Sequence, residues 1–211
     1  VPAETALYRA RIWDKNIHGA RFSRRDLSAP PTERISPARA NRSCQRTLYC
    51  ASEFETAIAE IRPYRRATVA VSTLRLSKPV LLVDFSSSVS IGTALRSDNI
   101  GWRIQTKALI AHISELFSLP ANPQCSELYY APTQSLCDSL RAQRISGLPI
   151  DGIVYRSSLG DGVNYAFFDP DVALPEDPEF RKIEAISILH SDMFDIHTEH
   201  PYRHQFQRNH S

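Results

Sequence analysis

Large and polar residues alternate from Leu7 to Trp13 (LYRARIW), the two-residue period of a strand covered on one face. The same period returns from Ala67 to Leu76 (ATVAVSTLRL) and predicts a second half-buried strand. From Val80 to Phe85 (VLLVDF) the residues are apolar almost without interruption, as expected of a strand central to its sheet. Gly152 to Ser157 (GIVYRS) and Val163 to Phe168 (VNYAFF) predict two short strands, with Gly160, Asp161 and Gly162 supplying the turn between them. Ile183 to Leu189 predicts a last strand.

Three stretches change to a helical period. Ser52 followed by Glu55 is a capping box that starts a helix at about Glu53, with Ala57, Ile58, Ala59 and Ile61 turned to a core and Pro63 limiting its end. Apolar positions recur at helical spacing from Trp102 to Leu119, ended by Pro120. A third helix starts at Pro132 and Thr133 and runs to about Ile145, with Leu136, Cys137 and Leu140 inward, until Gly147 and Pro149 break it. Residues 16–41 are polar, contain Pro30, Pro31 and Pro37, and form the kind of long irregular segment that often carries function. Strands outnumber helices and often follow one another directly, so the fold class is α+β rather than doubly wound α/β.

Composition narrows this reading. A chain of 211 residues suits one domain, with a core over residues 7–190 and a polar tail over 191–211. It starts at Val1 and its one methionine is Met193, so it is expected to be a fragment of a longer or processed protein. No apolar run approaches the ~20 residues that span a membrane. A net charge of +2 over this length does not indicate bulk attraction to nucleic acid, and no direct nucleic-acid binding is expected. Cys44, Cys50, Cys125 and Cys137 lack a C-x-x-C spacing and read as reduced thiols in a cytoplasmic setting. The basic residues are nearly all arginine, whose forked donors suit phosphate.

No glycine-rich nucleotide loop, nucleophile elbow or H-E-x-x-H pair is present. His197, His200 and His204 have loose metal-like spacing, but Pro201 interrupts any helix that would align them, and no metal is assigned. Candidate chemistry gathers instead between residues 39 and 60. A strand, a sharp turn and a capped helix bring Arg39, Tyr49 and Glu60 within reach of one pocket. Without further context Glu60 reads as a surface residue paired with Arg62 or Arg65.

The series is longer than this stretch. Tyr8-Arg9 lies in the first strand, Pro30-Pro31 and Arg39-Ala-Asn41 in the long loop, and Leu48-Tyr49 before the helix that carries Thr56-Ala57-x-Ala59-Glu60. Val83-Asp84, Tyr130-x-Pro132-Thr-Gln134, Asp151-Gly-Ile-Val-Tyr-Arg-Ser157 and Gly162-Val-Asn164 follow. This order and spacing resemble the RES-domain family from about Leu7 to Pro170. The chain departs from the pattern at Ala38 and Cys44, where the family usually has glycine, so the turn around Arg39 is expected to differ locally.

The resemblance implies an ADP-ribosyltransferase-like split mixed β-sheet around an NAD cleft, with flanking helices. It implies a toxin that destroys NAD by breaking the bond between nicotinamide and ribose, with phosphate or water as acceptor and no separate cofactor. It also implies a cognate antitoxin or immunity protein, of Xre type in many members, and action in the cytoplasm, with delivery by secretion as one route. The implied catalytic residues are Arg9, Arg39, Tyr49, Glu60 and Ser157, with Ser158 as the alternative to Ser157. Arg9 and Arg39 would grip phosphate oxygens, Tyr49 would meet nicotinamide or ribose, and Glu60 would face the cationic ribose. Asn164 and Gln134 are the substrate-binding candidates, although Gln134 equally reads as a helix cap. Two other functions compete: ADP-ribosylation of a macromolecule, and a non-catalytic interaction domain that keeps the fold.

Overall fold

The structure, a computed structural model, describes residues 1–14, 16, 23–86, 100–118 and 126–183. Its strands are β1 (Ala6–Trp13), β2 (Leu48–Ala51), β3 (Thr68–Leu76), β4 (Leu82–Asp84), β5 (Arg144–Ile145), β6 (Leu148–Pro149), β7 (Gly152–Arg156), β8 (Val163–Phe167), β9 (Ala173–Pro175) and β10 (Glu179–Lys182). The helices are α1 (Arg24–Leu27), α2 (Phe54–Glu60), α3 (Ile100–Ser118) and α4 (Ser126–Ala142). The predicted strand over residues 183–189 lies outside the described residues beyond Ile183, as do the tail and its histidines.

The main sheet runs β10-β3-β1-β2-β8-β7-β4, and β9 also pairs with β3. All its pairings are antiparallel except β4 with β7, so the sheet is mixed and the class is α+β. The sheet is nearly two. β1 pairs with β3 along its whole length, from Ala6–Arg75 to Trp13–Thr68, but meets β2 only at Tyr8–Ala51. Beyond that rung β1 and β2 part, and the parting creates the cleft. The two sides of the sheet have separate cores. Leu7, Leu48, Leu74, Leu76 and Phe167 fill one. Ala40, Phe85, Phe117, Cys137, Ile153 and Tyr155 fill another, under α3 and α4.

Several expectations are corrected. The Val80–Phe85 segment forms an edge strand, not a central one. It is apolar because Leu82 and Val83 pack into different cores, one on each face. The capping box does not form: Glu53 occupies the cap of α2 with no side-chain bond. The Ser52 hydroxyl instead accepts the Val163 N–H at 2.9 Å, stitching α2's start to β8. A box does form at the head of α1, where Asp26 Oδ2 accepts the Ser23 N–H at 2.7 Å, inside the stretch read as irregular. Helix α4 starts at Ser126 with Pro132 in its interior, and Thr133 Oγ1 donates to the Tyr130 carbonyl at 3.0 Å one turn back. It ends at Ala142 rather than Ile145, because Ser146 (φ 52°) and Gly147 (φ 81°) make a left-handed turn joining β5 to β6. Helix α3 appears where the spacing places it, but only Phe117 near its end is fully buried, and Trp102 and Leu109 stay exposed.

Gly160 and Gly162 lie in the β7–β8 connection, where the turn was expected, and neither has a positive φ, so what they supply there is small size. A Cβ at Gly162 would lie 2.6 Å from Thr56 Oγ1 and 2.7 Å from Ser52 Oγ, and one at Gly160 would lie 2.8 Å from Thr56 Oγ1. The glycines let the β7–β8 loop press onto α2. The Gly162 N–H donates to Thr56 Oγ1 at 3.2 Å, in a buried contact that docks the loop.

Candidate active site

Helix α2 ends at Glu60, beside the start of β8 and the end of β7. With the hairpin loop docked on Thr56, two side chains converge on one Glu60 oxygen. Asn164 Nδ2 donates to Oε1 at 2.6 Å and Ser157 Oγ donates to the same atom at 2.7 Å. Ser157 Oγ in turn accepts the Leu159 N–H at 3.1 Å, which fixes its rotamer. Hydrogen bonds to a charged group contribute about 1.5–3 kcal/mol when shielded and less at an exposed residue such as Glu60, so the pair matters more for aim than for stability. Arg62 and Arg65 form no ion pair with Glu60 among the described contacts, so the surface-pair reading does not describe this residue.

Two adjoining cavities of about 400 Å³ each meet at Glu60, sharing Arg39, Tyr130, Tyr155 and Asn164 as lining. One follows the parting of β1 and β2 and adds Tyr8, Arg9, Arg11 and Tyr49. The other adds Pro37, Arg62, Phe117, Arg156 and Ser158. The charged lining is therefore arginine throughout except for Glu60. A cleft of this kind suits a ligand with several anionic oxygens and one site of positive charge.

Arg9 shows the demand for an anion most directly. It spans the parting of the sheet, its Nη1 donating to the Tyr49 carbonyl on β2. Its Nε is buried with no hydrogen-bond partner. Burial lowers the Arg9 pKa to about 10, and neighbouring Arg11 pushes the same way. A buried cation with an unused donor is costly unless something pairs with it. An oxyanion in the adjoining lobe would do so.

Arg39 sits at the tip of a tight turn closed by two backbone bonds, Ala38 N–H to Asn41 O at 3.0 Å and Asn41 N–H to Ala38 O at 3.3 Å. Its Nη1 donates to the Leu116 carbonyl of α3 at 3.2 Å, and its guanidinium lies 5.6 Å from the centre of the Tyr130 ring. Cys44 stands at one of the two positions noted for a missing glycine. That residue takes φ 63°, the left-handed conformation that glycine adopts freely and other residues at a cost.

Two candidates have different surroundings from those expected. The Tyr49 hydroxyl donates to Asn41 Oδ1 at 2.8 Å and accepts the Ala40 N–H at 2.9 Å, so it holds the Arg39 turn. Burial raises its pKa well above the ordinary tyrosine value. Gln134 does not line the cleft. Its Nε2 donates to the carbonyls of Ala38 and Asn41, each at 2.9 Å, so its amide nitrogen is engaged by the turn. Of the two serines, Ser157 engages Glu60 while Ser158 lines the outer lobe.

Arg11, Tyr130, Tyr155 and Arg156 also line the cavities, beyond the candidates expected from sequence. Arg11 had a legible signal, since it lies two residues from Arg9 and shares its strand face. Tyr155 stacks on Phe117 at 5.2 Å between ring centres, which anchors it in the core under the cleft. Its neighbour across the sheet is Asn164.

The RES domain family model matches residues 6–183. The chain is a member of the RES domain family. A comparison with curated proteins finds none that matches it. The match takes in the whole RES cleft: both strands at the parting, the Arg39 turn, α2 and the β7–β8 hairpin. Among the described residues of this RES domain, no helix is long and apolar enough to cross a membrane.

Proposed function

We propose that this RES domain is an NAD-consuming enzyme that cleaves the nicotinamide–ribose bond and acts as a toxin by depleting NAD. The observation that carries the reading is Glu60, aimed by Ser157 and Asn164 into a cleft whose other charged lining residues are arginines. The C1′–N bond breaks with both electrons leaving on the pyridine nitrogen, so nicotinamide departs neutral. The ribosyl C1′ becomes cationic and then takes an electron pair from an acceptor oxygen, of water or phosphate. With water, one proton is released.

A carboxylate beside C1′ favours the developing cation, as in glycoside hydrolysis, and the bonds to Oε1 hold it there before the reaction starts. Arg9, Arg11 and Arg39 bind the pyrophosphate, whose charge also offsets the cost of the buried Arg9. Tyr155 and Tyr130 supply flat surfaces against the nicotinamide and ribose end. Tyr49 acts through the Arg39 turn. The toxin reading carries with it a cognate antitoxin or immunity protein and a cytoplasmic site of action.

The test is incubation with NAD, with and without inorganic phosphate, followed by separation of the products. Release of nicotinamide together with ADP-ribose or its phosphate ester is expected. Glu60→Gln is expected to lower the rate by about 10²-fold or more, the scale of removing one preorganised electrostatic group. Intact NAD after long incubation with folded protein overturns the assignment. Label transferred from NAD to a macromolecule redirects it to ADP-ribosylation.

A further inference from the structure

One face of α4 meets the back of the Arg39 turn. Tyr130, Gln134, Cys137 and Arg141 follow one another at helical spacings of four, three and four, which places them along a single stripe. Tyr130 faces the Arg39 guanidinium from that stripe. Gln134 reaches both carbonyls that flank the tip. Arg141 Nη2 donates to the Ala40 carbonyl at 3.3 Å and to Thr47 Oγ1 at 2.7 Å. From the opposite side the Tyr49 hydroxyl takes the Ala40 N–H.

The centre of this arrangement is buried. Asn41 is 2% exposed and Gln134 is 6% exposed. Asn41 Nδ2 donates to the carbonyls of Ser36 at 3.1 Å and Arg42 at 2.9 Å, while its Oδ1 accepts the Tyr49 hydroxyl. The Ala38 and Asn41 carbonyls each accept two protons, one across the turn and one from Gln134. A turn otherwise closed by two backbone bonds is thereby locked in one geometry by groups from α4 and β2. Networks of this kind either are complete and rigid or lose more than one bond when a member is removed.

We infer that Gln134 is a positioning residue, which fixes the Arg39 turn from behind and so sets where the cleft holds the anionic part of its ligand. The catalytic consequence rests on the NAD reading. The structural consequence does not. Arg39 binds the pyrophosphate equally before and during bond cleavage, so loosening it weakens ground state and transition state alike. That pattern appears in KM and leaves kcat nearly intact. A residue that served only overall stability would show no such split.

Gln134→Met keeps length and volume while removing both donors. Expected results are a KM for NAD raised about tenfold, one charge-assisted contact's worth, with kcat within about threefold of wild type. Arg39→Ala should raise KM as well, and the double variant should be no worse than Arg39→Ala alone, because Gln134 acts through Arg39. Additive effects in the double variant overturn the proposal. Hydrogen exchange of the Ala40 and Asn41 amides provides a readout that needs no ligand or activity. These amides should exchange about tenfold faster in folded Gln134→Met, in line with the loss of local protection of roughly 1.4 kcal/mol. Unchanged exchange overturns the positioning role even if NAD proves not to be the substrate. If Gln134→Met fails to fold, Tyr49→Phe removes the hydroxyl from the same network. It should free the Ala40 amide in the same way, and an unchanged Ala40 amide there also counts against the lock.

Discussion

Cys44 holds φ 63° in the loop after the Arg39 turn. A non-glycine residue in this region costs about 1–2 kcal/mol, against about 0.5–1 kcal/mol of extra chain entropy that glycine loses on folding. Cys44→Gly is therefore expected to stabilise the protein by about 0.5–1 kcal/mol, seen as a rise of roughly 1–4 °C in thermal melting at this chain length. A lowered melting temperature would show that the thiol, and not the backbone, is what matters there. Arg9 gives the opposite balance, a buried cation that costs stability and that the proposed function uses for binding. Folding favours its neutral form, because burial lowers its pKa to about 10, so at neutral pH the charged form carries a penalty that a bound anion relieves. Arg9→Met should leave the melting temperature of the unliganded protein unchanged or higher, and should sharply weaken binding of ADP-ribose in calorimetry. A large fall in melting temperature would mean that its bond to the Tyr49 carbonyl outweighs the cost of burial.

The elements divide the work of assembling the site. Helix α2 carries the carboxylate, the β7–β8 hairpin carries its two donors, and α4 braces the turn that carries Arg39. The joint between α2 and the hairpin is tight, since the space at Gly162 is taken by Thr56 and Ser52 oxygens. Gly162→Ala should cost about 1–3 kcal/mol by overpacking. It should also reduce NAD turnover beyond what the loss of folded protein explains, because the loop that moves carries Ser157 and leads into Asn164. Chemical denaturation measures the first effect and turnover per folded molecule the second. Full turnover in the folded variant would show that the hairpin's exact seat is not needed.

At the scale of the molecule, the cleft exists because two halves of one sheet share a single rung at Tyr8–Ala51 and then part. A ligand that spans the parting contacts Arg9 and Arg11 on one half and the Glu60 group on the other, so binding should tie the halves together. ADP-ribose at about 100 times its dissociation constant should stabilise the fold by about 2.7 kcal/mol, a rise of roughly 5–10 °C in melting temperature. The gain should shrink as salt rises, since exposed arginines such as Arg156 are screened. No shift with ADP-ribose or NAD would argue that the cleft takes a different anion.

How much of this could be read from residues depends on the range of the interaction concerned. Period and turn chemistry located β1, β3, β7, β8, α2 and α3 within a few residues, because those signals are local. The ordered series from Arg9 to Asn164 pointed to the family, and its members Arg9, Arg39, Tyr49, Glu60 and Asn164 line one cavity. What local pattern could not contain was partnership. Ser52 is spaced as a helix cap but bonds β8, the apolar β4 is an edge strand covered on both faces, and Gly160 and Gly162 are required by a helix about 100 residues earlier in the chain. Gln134 and Tyr49 likewise had the chemistry of ligand contacts, and only the packing of α4 and β2 against the turn directs their hydrogen bonds to the residues around Arg39. By itself the sequence determined which side chains were available and which elements carry them. The tertiary structure decided what each one touches, because a hydrogen bond is set by distances of a fraction of an ångström between segments far apart in the chain.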